Sequence, residues 1–452
     1  MSLSRRSFLR HTVVVGPITL VLFTEADAIW AQGGEECTLP SPPPPVRFIP
    51  NERKVVARIS ALEMADPSRA AQLKVFREAI GMVRALPPTD VLSWTKLVAQ
   101  HCINCASTNT SNIHYDWQFL PWHRALLYFL ERSMRKMSGN DDLRLTYWDW
   151  ENPSSRVLPS IYAPTGQPLY WSGRGDLAGS WWPLTNDQVD VQGLLALPDW
   201  KTFGGTSVQR TPTPAAYSGP HANVHNNFRL NGDMRNLQYS PRDPVFYAHH
   251  GNVDRLWASW AAQPGHQNPD FGDAKVYFYD ENRVWSYVLM NDLRDPAKLG
   301  YSYSTLMQPE ATQAKLRSYP MAQLRQGKMK LQKEIMAQVN QEGPDFLVLE
   351  SIQNIDKMAA DAREFGVFVG AVAAGTVAAG AKNFLGKVSR VLAGEHHHTG
   401  PLSAVLRVTG KLAALVGKDQ LSADLTLAPL DDDGKTREAG VPLEADNVAV
   451  IS

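Results

Sequence analysis

Apolar side chains recur at helical spacing from about Pro67 to Leu86, at Ala71, Val75, Ala79, Ile80 and Val83, and the run stops at Pro87-Pro88. That pattern predicts a helix closed by prolines. The same reasoning predicts a helix from about Leu92 to Cys102, and one from Leu126 to Met137 with Glu131, Arg132, Arg135 and Lys136 on its wet side. A further helix is expected from Pro244 to Trp260. Residues 151–220 are rich in Pro, Gly and Ser and read as long loops over this helical scaffold. Val276–Tyr279 and Tyr287–Leu289 read as short strands or turns.

Beyond Ser304 the pattern changes. Residues 304–344 carry Gln, Lys, Met and Arg with few aromatics, which fits an exposed linker holding one helix from Lys328 to Val339. After it, Phe346–Leu349, Phe365–Val369, Ala404–Val408 and Leu421–Leu427 are short β-prone runs punctuated by Gly, Asp and Pro, the pattern of a small all-β sandwich. The apolar run Phe365–Ala381 contains four glycines and is barely long enough to span a bilayer, so strand plus loop is the better reading. The predicted class is mainly α, with a β-sandwich at the C-terminal end.

At the N-terminus, Ser4–Arg10 is basic, Val13–Phe23 is apolar and Ala26-Asp27-Ala28 resembles a cleavage site, so residues 1–28 read as an export signal rather than a membrane anchor. Arg5-Arg6 before Ser7-Phe8-Leu9 resembles a bacterial twin-arginine signal, which implies a periplasmic or extracellular destination. With 45 basic and 45 acidic residues among 452, and 44% hydrophobic, the bulk is an ordinary globular chain. Disorder and a basic nucleic-acid coat are excluded; no nucleic-acid partner and no stable membrane insertion are expected, and the oligomeric state is not legible. Three cysteines, Cys37, Cys102 and Cys105, permit one bridge at most.

Histidine supplies the candidate chemistry. Of twelve, seven fall at His101, His114, His123, His221, His225, His249 and His250. His101 ends one expected helix, His123 opens another and His114 comes from the loop between. His221 and His225 stand four apart, on one face of a helix, and His250 adds a third nitrogen from a second helix. Two imidazole triads without thiolate or carboxylate suit copper, zinc or iron and point to a paired-metal centre. His249 points elsewhere around its helix and reads as support rather than ligand.

His114-x4-Phe119-Leu120-Pro121-Trp122-His123-Arg124-x2-Leu127-x3-Glu131 and Asp243-Pro244-x-Phe246-Tyr247-x2-His250-x3-Asp254 resemble the two copper signatures of the tyrosinase, catechol oxidase and hemocyanin superfamily. The likeness to plant-type polyphenol oxidases extends through Ala85–Pro88, Gly232-Asp233-Met234, Phe278–Asn282 and Gly300-Tyr301-Ser302-Tyr303, and Phe365–Val369 resembles the start of that family's C-terminal domain. The resemblance implies a helical-bundle catalytic domain over 29–303, the linker 304–344 and a β-sandwich over 345–452 that covers the site and keeps the enzyme latent, with Phe365 or a neighbour over the entrance. It implies copper A on His101, His114 and His123, copper B on His221, His225 and His250, and His249 and Asp254 behind the ligands, supporting them without binding metal. The implied reaction is oxidation of o-diphenols to o-quinones by dioxygen, with small phenols as substrates. Oxidation of o-aminophenols, or oxygen carriage as in hemocyanin, is the alternative. It also implies a thioether between Cys105 and His114, which leaves Cys37 and Cys102 for a disulfide.

The sequence departs from that family in places. Plant relatives often carry a glutamate four residues before the first copper B histidine; here the position is Tyr217, and no acid lies between Thr206 and His221, which weighs against monophenol hydroxylation. The gate position thirteen residues before the third copper B ligand is Leu237. Ala222 and Asn226, each following a copper B ligand, are expected to line the entrance, with Arg229 nearby.

Overall fold

The computed structural model describes residues 37–451, apart from 106–111, 175–182, 209–212, 229–231, 311–315, 321–344, 360, 393–400 and 412–424. The expected signal 1–28, the helix Lys328–Val339, Arg229 and His396–His398 lie outside the described residues.

Five helices frame the N-terminal unit: α1 (Ala70–Arg84), α2 (Trp94–Cys105), α3 (Phe119–Ser138), α4 (Ala222–Asn226) and α5 (Val245–Ala261). One start and one end differ from expectation. The helix expected from Leu126 begins at Phe119, because Pro121 falls in the first turn, where its missing N–H costs nothing. His123 therefore sits one turn inside α3, and α2 continues to Cys105, so His101 lies within it rather than at its end. α3 stops at Gly139, whose φ of 66° is the left-handed conformation that ends a helix cheaply in glycine.

α3 packs between α1 and α5, and α5 is buried almost all round. A helix buried on every face shows little amphipathic contrast, which is why its function is carried by motif rather than by periodicity. Gly251 permits the close approach of α5: a Cβ there would stand 2.9 Å from the Thr146 carbonyl.

Small sheets close the unit. β1 (Val46–Arg47) runs parallel to β4 (Trp285–Leu289), which pairs antiparallel with β3 (Lys275–Tyr279), and β2 (Val56–Arg58) pairs parallel with β5 (Tyr301–Tyr303). A buried ionic network ties β2, α3, α5 and β5 together. Arg58 donates to Glu131 at 2.7 Å and Asp254 at 3.2 Å, its guanidinium lies 3.6 Å from the Tyr301 ring centre, and Tyr301 donates to Asp254 at 2.6 Å. Arg124 donates to Asp254 as well. Glu131, expected on the wet side of α3, is 2% exposed, because its charge is matched inside the unit by Arg58.

The C-terminal unit holds two four-stranded antiparallel sheets. One has the order β10 (Leu402–Arg407), β7 (Phe346–Ile352), β13 (Ala445–Ile451), β6 (Leu316–Pro320); the other β12 (Val441–Pro442), β11 (Leu425–Leu430), β8 (Glu364–Val369), β9 (Phe384–Ser389). Their facing side chains, among them Leu347, Leu349, Phe365, Val367, Leu425 and Leu427, join one apolar core. The run Phe365–Ala381 is strand β8 followed by loop. Leu316–Pro320, read from sequence as linker, is an edge strand registered on β13, a pairing that local composition does not announce. Among the described residues no helix is long and apolar enough to cross a membrane.

Candidate metal centre

α2, the turn before α3, and α3 itself bring His101, His114 and His123 together; the turn before α4, α4 and α5 bring His221, His225, His249 and His250 together. Within each group one nitrogen from every ring lies within 4.8 Å of the others. All seven are buried. The groups meet at His123 and His250, whose rings stack 4.1 Å apart and 7° from parallel.

The rings are oriented by main-chain acceptors. Nδ1 of His123 donates to Phe119 O at 2.7 Å, that of His221 to Tyr217 O at 2.9 Å and that of His225 to Met234 O at 2.6 Å. His101 bonds to the Leu237 backbone. A carbonyl can only accept, so each bonded nitrogen carries the proton and the other nitrogen of the ring keeps its lone pair, that of His123 lying 3.3 Å from Nε2 of His101. Among the described residues, Nε2 of His221, His225 and His250 meets no hydrogen-bond partner. His114 is held differently: Asn112 Oδ1 accepts from its backbone N–H at 3.0 Å and faces Nδ1 at 3.2 Å. Sequence reading missed Asn112; an Asn two residues ahead of a histidine, in an Asx-turn pattern, was the available signal.

Burial comes first among the causes that hold these imidazoles neutral, followed by mutual repulsion between them. His123 is pushed down to about 3 and His225 to about 4 despite their backbone bonds, and His101, His221, His249 and His250 lie well below the ordinary range. Neutral, aimed imidazole nitrogens are what a pair of soft-to-borderline metal ions requires, so the donor set fits two coppers. Phe119 and Phe246 wall the centre, 4.9 Å from the His221 ring and 4.3 Å from the His250 ring.

The remaining expectations separate as follows. His249 lies in the same group as His221, His225 and His250, its ring 5.3 Å from His221 and 4.8 Å from His225. Cys37 and Cys102 are joined as a disulfide, with Cα atoms 5.3 Å apart. Cys105 is a free, buried thiol whose Sγ lies 3.3 Å from Nδ1 of His101, one helical turn away on α2. Asp254, one turn beyond His250, belongs to the ionic network. Tyr217, Ala222, Asn226 and Leu237 are all buried beneath the C-terminal unit. Phe365, expected over the entrance, is fully buried on β8, with the Arg390 guanidinium 5.2 Å from its ring centre. The residues that meet the entrance are Ser389, the last of β9, and Arg390–Leu392 just after it. Asn226 Nδ2 donates to Arg390 O at 3.0 Å, Leu237 N to Leu392 O at 3.1 Å and Ser389 Oγ to Asn223 Oδ1 at 2.5 Å. The Tyr217 hydroxyl lies 3.4 Å from both N and O of Val391.

A helical unit whose core holds two facing groups of neutral imidazoles defines a paired-metal protein of the type-3 kind. Comparison with known proteins carries this further. The common central domain of tyrosinase matches residues 91–179 and 180–263, and the polyphenol oxidase middle domain matches 266–313. Aureusidin synthase of Antirrhinum majus is 29% identical over 347 residues, covering 63% of this chain and 61% of that protein. The chloroplastic latent-form polyphenol oxidase of Prunus armeniaca is 30% identical over 280 residues, covering 52% and 47%. The crystal structure of Grenache (Vitis vinifera) polyphenol oxidase aligns with TM-score 0.54 and 27% identity over 62% of this chain and 94% of that one. Latent apple tyrosinase shares the fold of both units, with TM-score 0.64 at 22% identity over 90% of this chain and 100% of that one. The chain thus belongs to the type-3 dicopper family of tyrosinases and polyphenol oxidases, and its cofactor is a pair of copper ions. It spans about half to three-fifths of the length of the curated relatives it matches. These relatives are plant proteins, so a bacterial source gains no support from them.

Proposed function

We propose that the protein is a latent dicopper oxidase of o-diphenols. The observation that carries this reading is the juxtaposition of the two imidazole groups at His123 and His250, with an entrance on the copper B side closed by the protein's own C-terminal unit. His101, His114 and His123 would hold copper A, and His221, His225 and His250 copper B. His250 is favoured over its neighbour because its ring faces the other group, whereas His249 packs toward Trp150 and supports His221 and His225 from behind. When bound, the two coppers supply reversible two-electron exchange with dioxygen. The chain's own part is to hold neutral imidazoles in place, exclude water with Phe119 and Phe246, and admit a flat phenol past Ala222, Asn226 and Leu237. Two o-diphenols each lose two electrons and two protons from their O–H bonds, and dioxygen takes up all four of each to give two waters.

Tyr217 bears on selectivity. Burial raises its hydroxyl to about 12, so it cannot replace a carboxylate in taking a proton from a monophenol near neutral pH. Diphenol oxidation is accordingly favoured over monophenol hydroxylation, and turnover over reversible oxygen carriage. The thioether between Cys105 and His114 belongs to this reading, as does export through the residues 1–28 signal. The experiment is oxygen uptake by copper-loaded protein with 4-methylcatechol and with p-cresol, before and after mild proteolysis within 321–344. Catechol turnover that rises on cleavage, with little cresol turnover, is expected; two bound coppers with no uptake would overturn the proposal.

A further inference from the structure

Three consecutive residues of the covering segment are held to the entrance through their backbones. Arg390 O accepts from the Asn226 side chain, the N–H and C=O of Val391 both face the Tyr217 hydroxyl, and Leu392 O accepts from the Leu237 N–H, next to a parallel bridge between Asn236 and Leu392. Ser389 adds a side-chain hydrogen bond, its Oγ donating to Asn223 Oδ1 at 2.5 Å. Contacts made by a strand's backbone do not depend on its side chains, which is how extended peptides are recognised by main-chain augmentation. The Tyr217 ring that meets the middle residue also packs 5.7 Å from the His114 ring and 5.3 Å from the His221 ring, so the segment's midpoint passes one ring away from both metal groups. Two cavities of about 790 and 720 Å³ both meet Phe384 and Lys387 ahead of this segment, one reaching Asn226 and Asn227, the other Gly219, Pro220 and Asn223.

We infer that the entrance is a peptide-reading groove, and that its substrates include o-diphenol side chains carried on a polypeptide, the covering segment Ser389–Leu392 occupying the place of that chain. The inference rests on the proposed o-diphenol oxidation and adds what presents the ring. Asn226, Tyr217 and the Leu237 N–H form the reading groups; the diphenol of a bound peptide stands at the position of Val391. Each diphenol gives up its two electrons and two protons to dioxygen as above.

The test uses the full chain with the cover weakened at its outer ion pairs. Arg407 pairs with Asp190 at 2.6 Å and Glu310 at 2.9 Å, and Asp432 pairs with Arg235 at 2.6 Å, all across the two units. Arg407→Glu with Asp432→Arg sets like charges opposite each other. Copper-free double variant is titrated with a fluorescent heptapeptide Lys-Val-Ser-Arg-Val-Leu-Ala, the sequence of 387–393, and with the same peptide N-methylated at its second valine. Saturable binding that weakens at least tenfold on N-methylation is expected, as is displacement by a peptide with 3,4-dihydroxyphenylalanine at that valine. After copper loading, kcat/KM for the dihydroxyphenylalanine peptide should exceed that for 4-methylcatechol at least tenfold. Oxidation of 4-methylcatechol without peptide binding, or equal binding of both peptides, overturns the inference; loss of catechol oxidation itself would instead overturn the proposed function. Should the double variant not fold, amide exchange in the otherwise unaltered protein decides. Protection of the Val391 amide should fall at least tenfold in Tyr217→Phe and persist in Val391→Ala, and equal loss in both refutes main-chain reading.

Discussion

Asp254→Asn tests whether the ionic network positions copper B. The Asp254 carboxylate receives Arg58, Arg124, Tyr301 and Tyr303, and both guanidiniums are fully buried. Burial by itself would raise its pKa, but the charges of Arg124 and Arg58 and the two tyrosine hydroxyls hold it below the usual carboxylate range. The amide removes the charge and turns an NH2 toward donors. Arg124 keeps the Leu293 carbonyl at 2.8 Å and Arg58 keeps Glu131 at 2.7 Å, so one negative charge is left for two buried cations. Breaking a buried pair from one side costs about 3–5 kcal/mol. For a unit of this size each kcal/mol lowers Tm by roughly 2 °C, so a fall of about 6–10 °C is expected. Because the folded pKa is depressed, the stabilisation is fully present above the unfolded value near ~3.9 and is lost only as pH falls through the folded one, so the gap between wild type and variant should be constant from pH 5 to 7. Asp254 stands one turn from His250 on α5, so bound copper should fall below two per chain. Differential scanning calorimetry and copper analysis read both quantities; a Tm change under ~2 °C with full copper would refute the role given to the network.

His250→Ala should leave far-UV circular dichroism unchanged and halve the copper content; two coppers per chain would remove His250 from the ligand set. Glu52 is opposed by burial, yet hydrogen bonds from Arg135 and Tyr128 and the charges of Arg135 and Arg132 pull its pKa down to about 2. Glu52→Gln should therefore destabilise by about 2–3 kcal/mol at pH 7, with the difference shrinking from pH 5 downward and vanishing near pH 2, as urea unfolding at several pH values would show. Cys37→Ser opens a disulfide spanning 65 residues, worth roughly 2–4 kcal/mol by chain entropy; its Tm should match that of reduced wild type and be indifferent to reductant.

Helical periodicity placed α1 and α5 closely, and it misjudged α3, whose first turn is written in the aromatic and proline residues of a functional motif rather than in an amphipathic repeat. The β-prone runs located β7, β8 and β10, while β6 escaped notice because an edge strand is defined by its partner, β13, more than by its own composition.

By itself the sequence determined which side chains can bind metal, since scarce histidines at helical and inter-helix spacing have few other uses, and it determined the fold class through two distinct periodicities. Only the tertiary structure decided how those histidines are aimed. The acceptors for His123, His221 and His225 are main-chain carbonyls of Phe119, Tyr217 and Met234, and a backbone group carries no residue identity to read. The same reason hid the cover: Arg390, Val391 and Leu392 close the entrance through peptide groups that any residues would offer, and only the docking of one unit on the other brings that segment to Tyr217, Asn226 and Leu237.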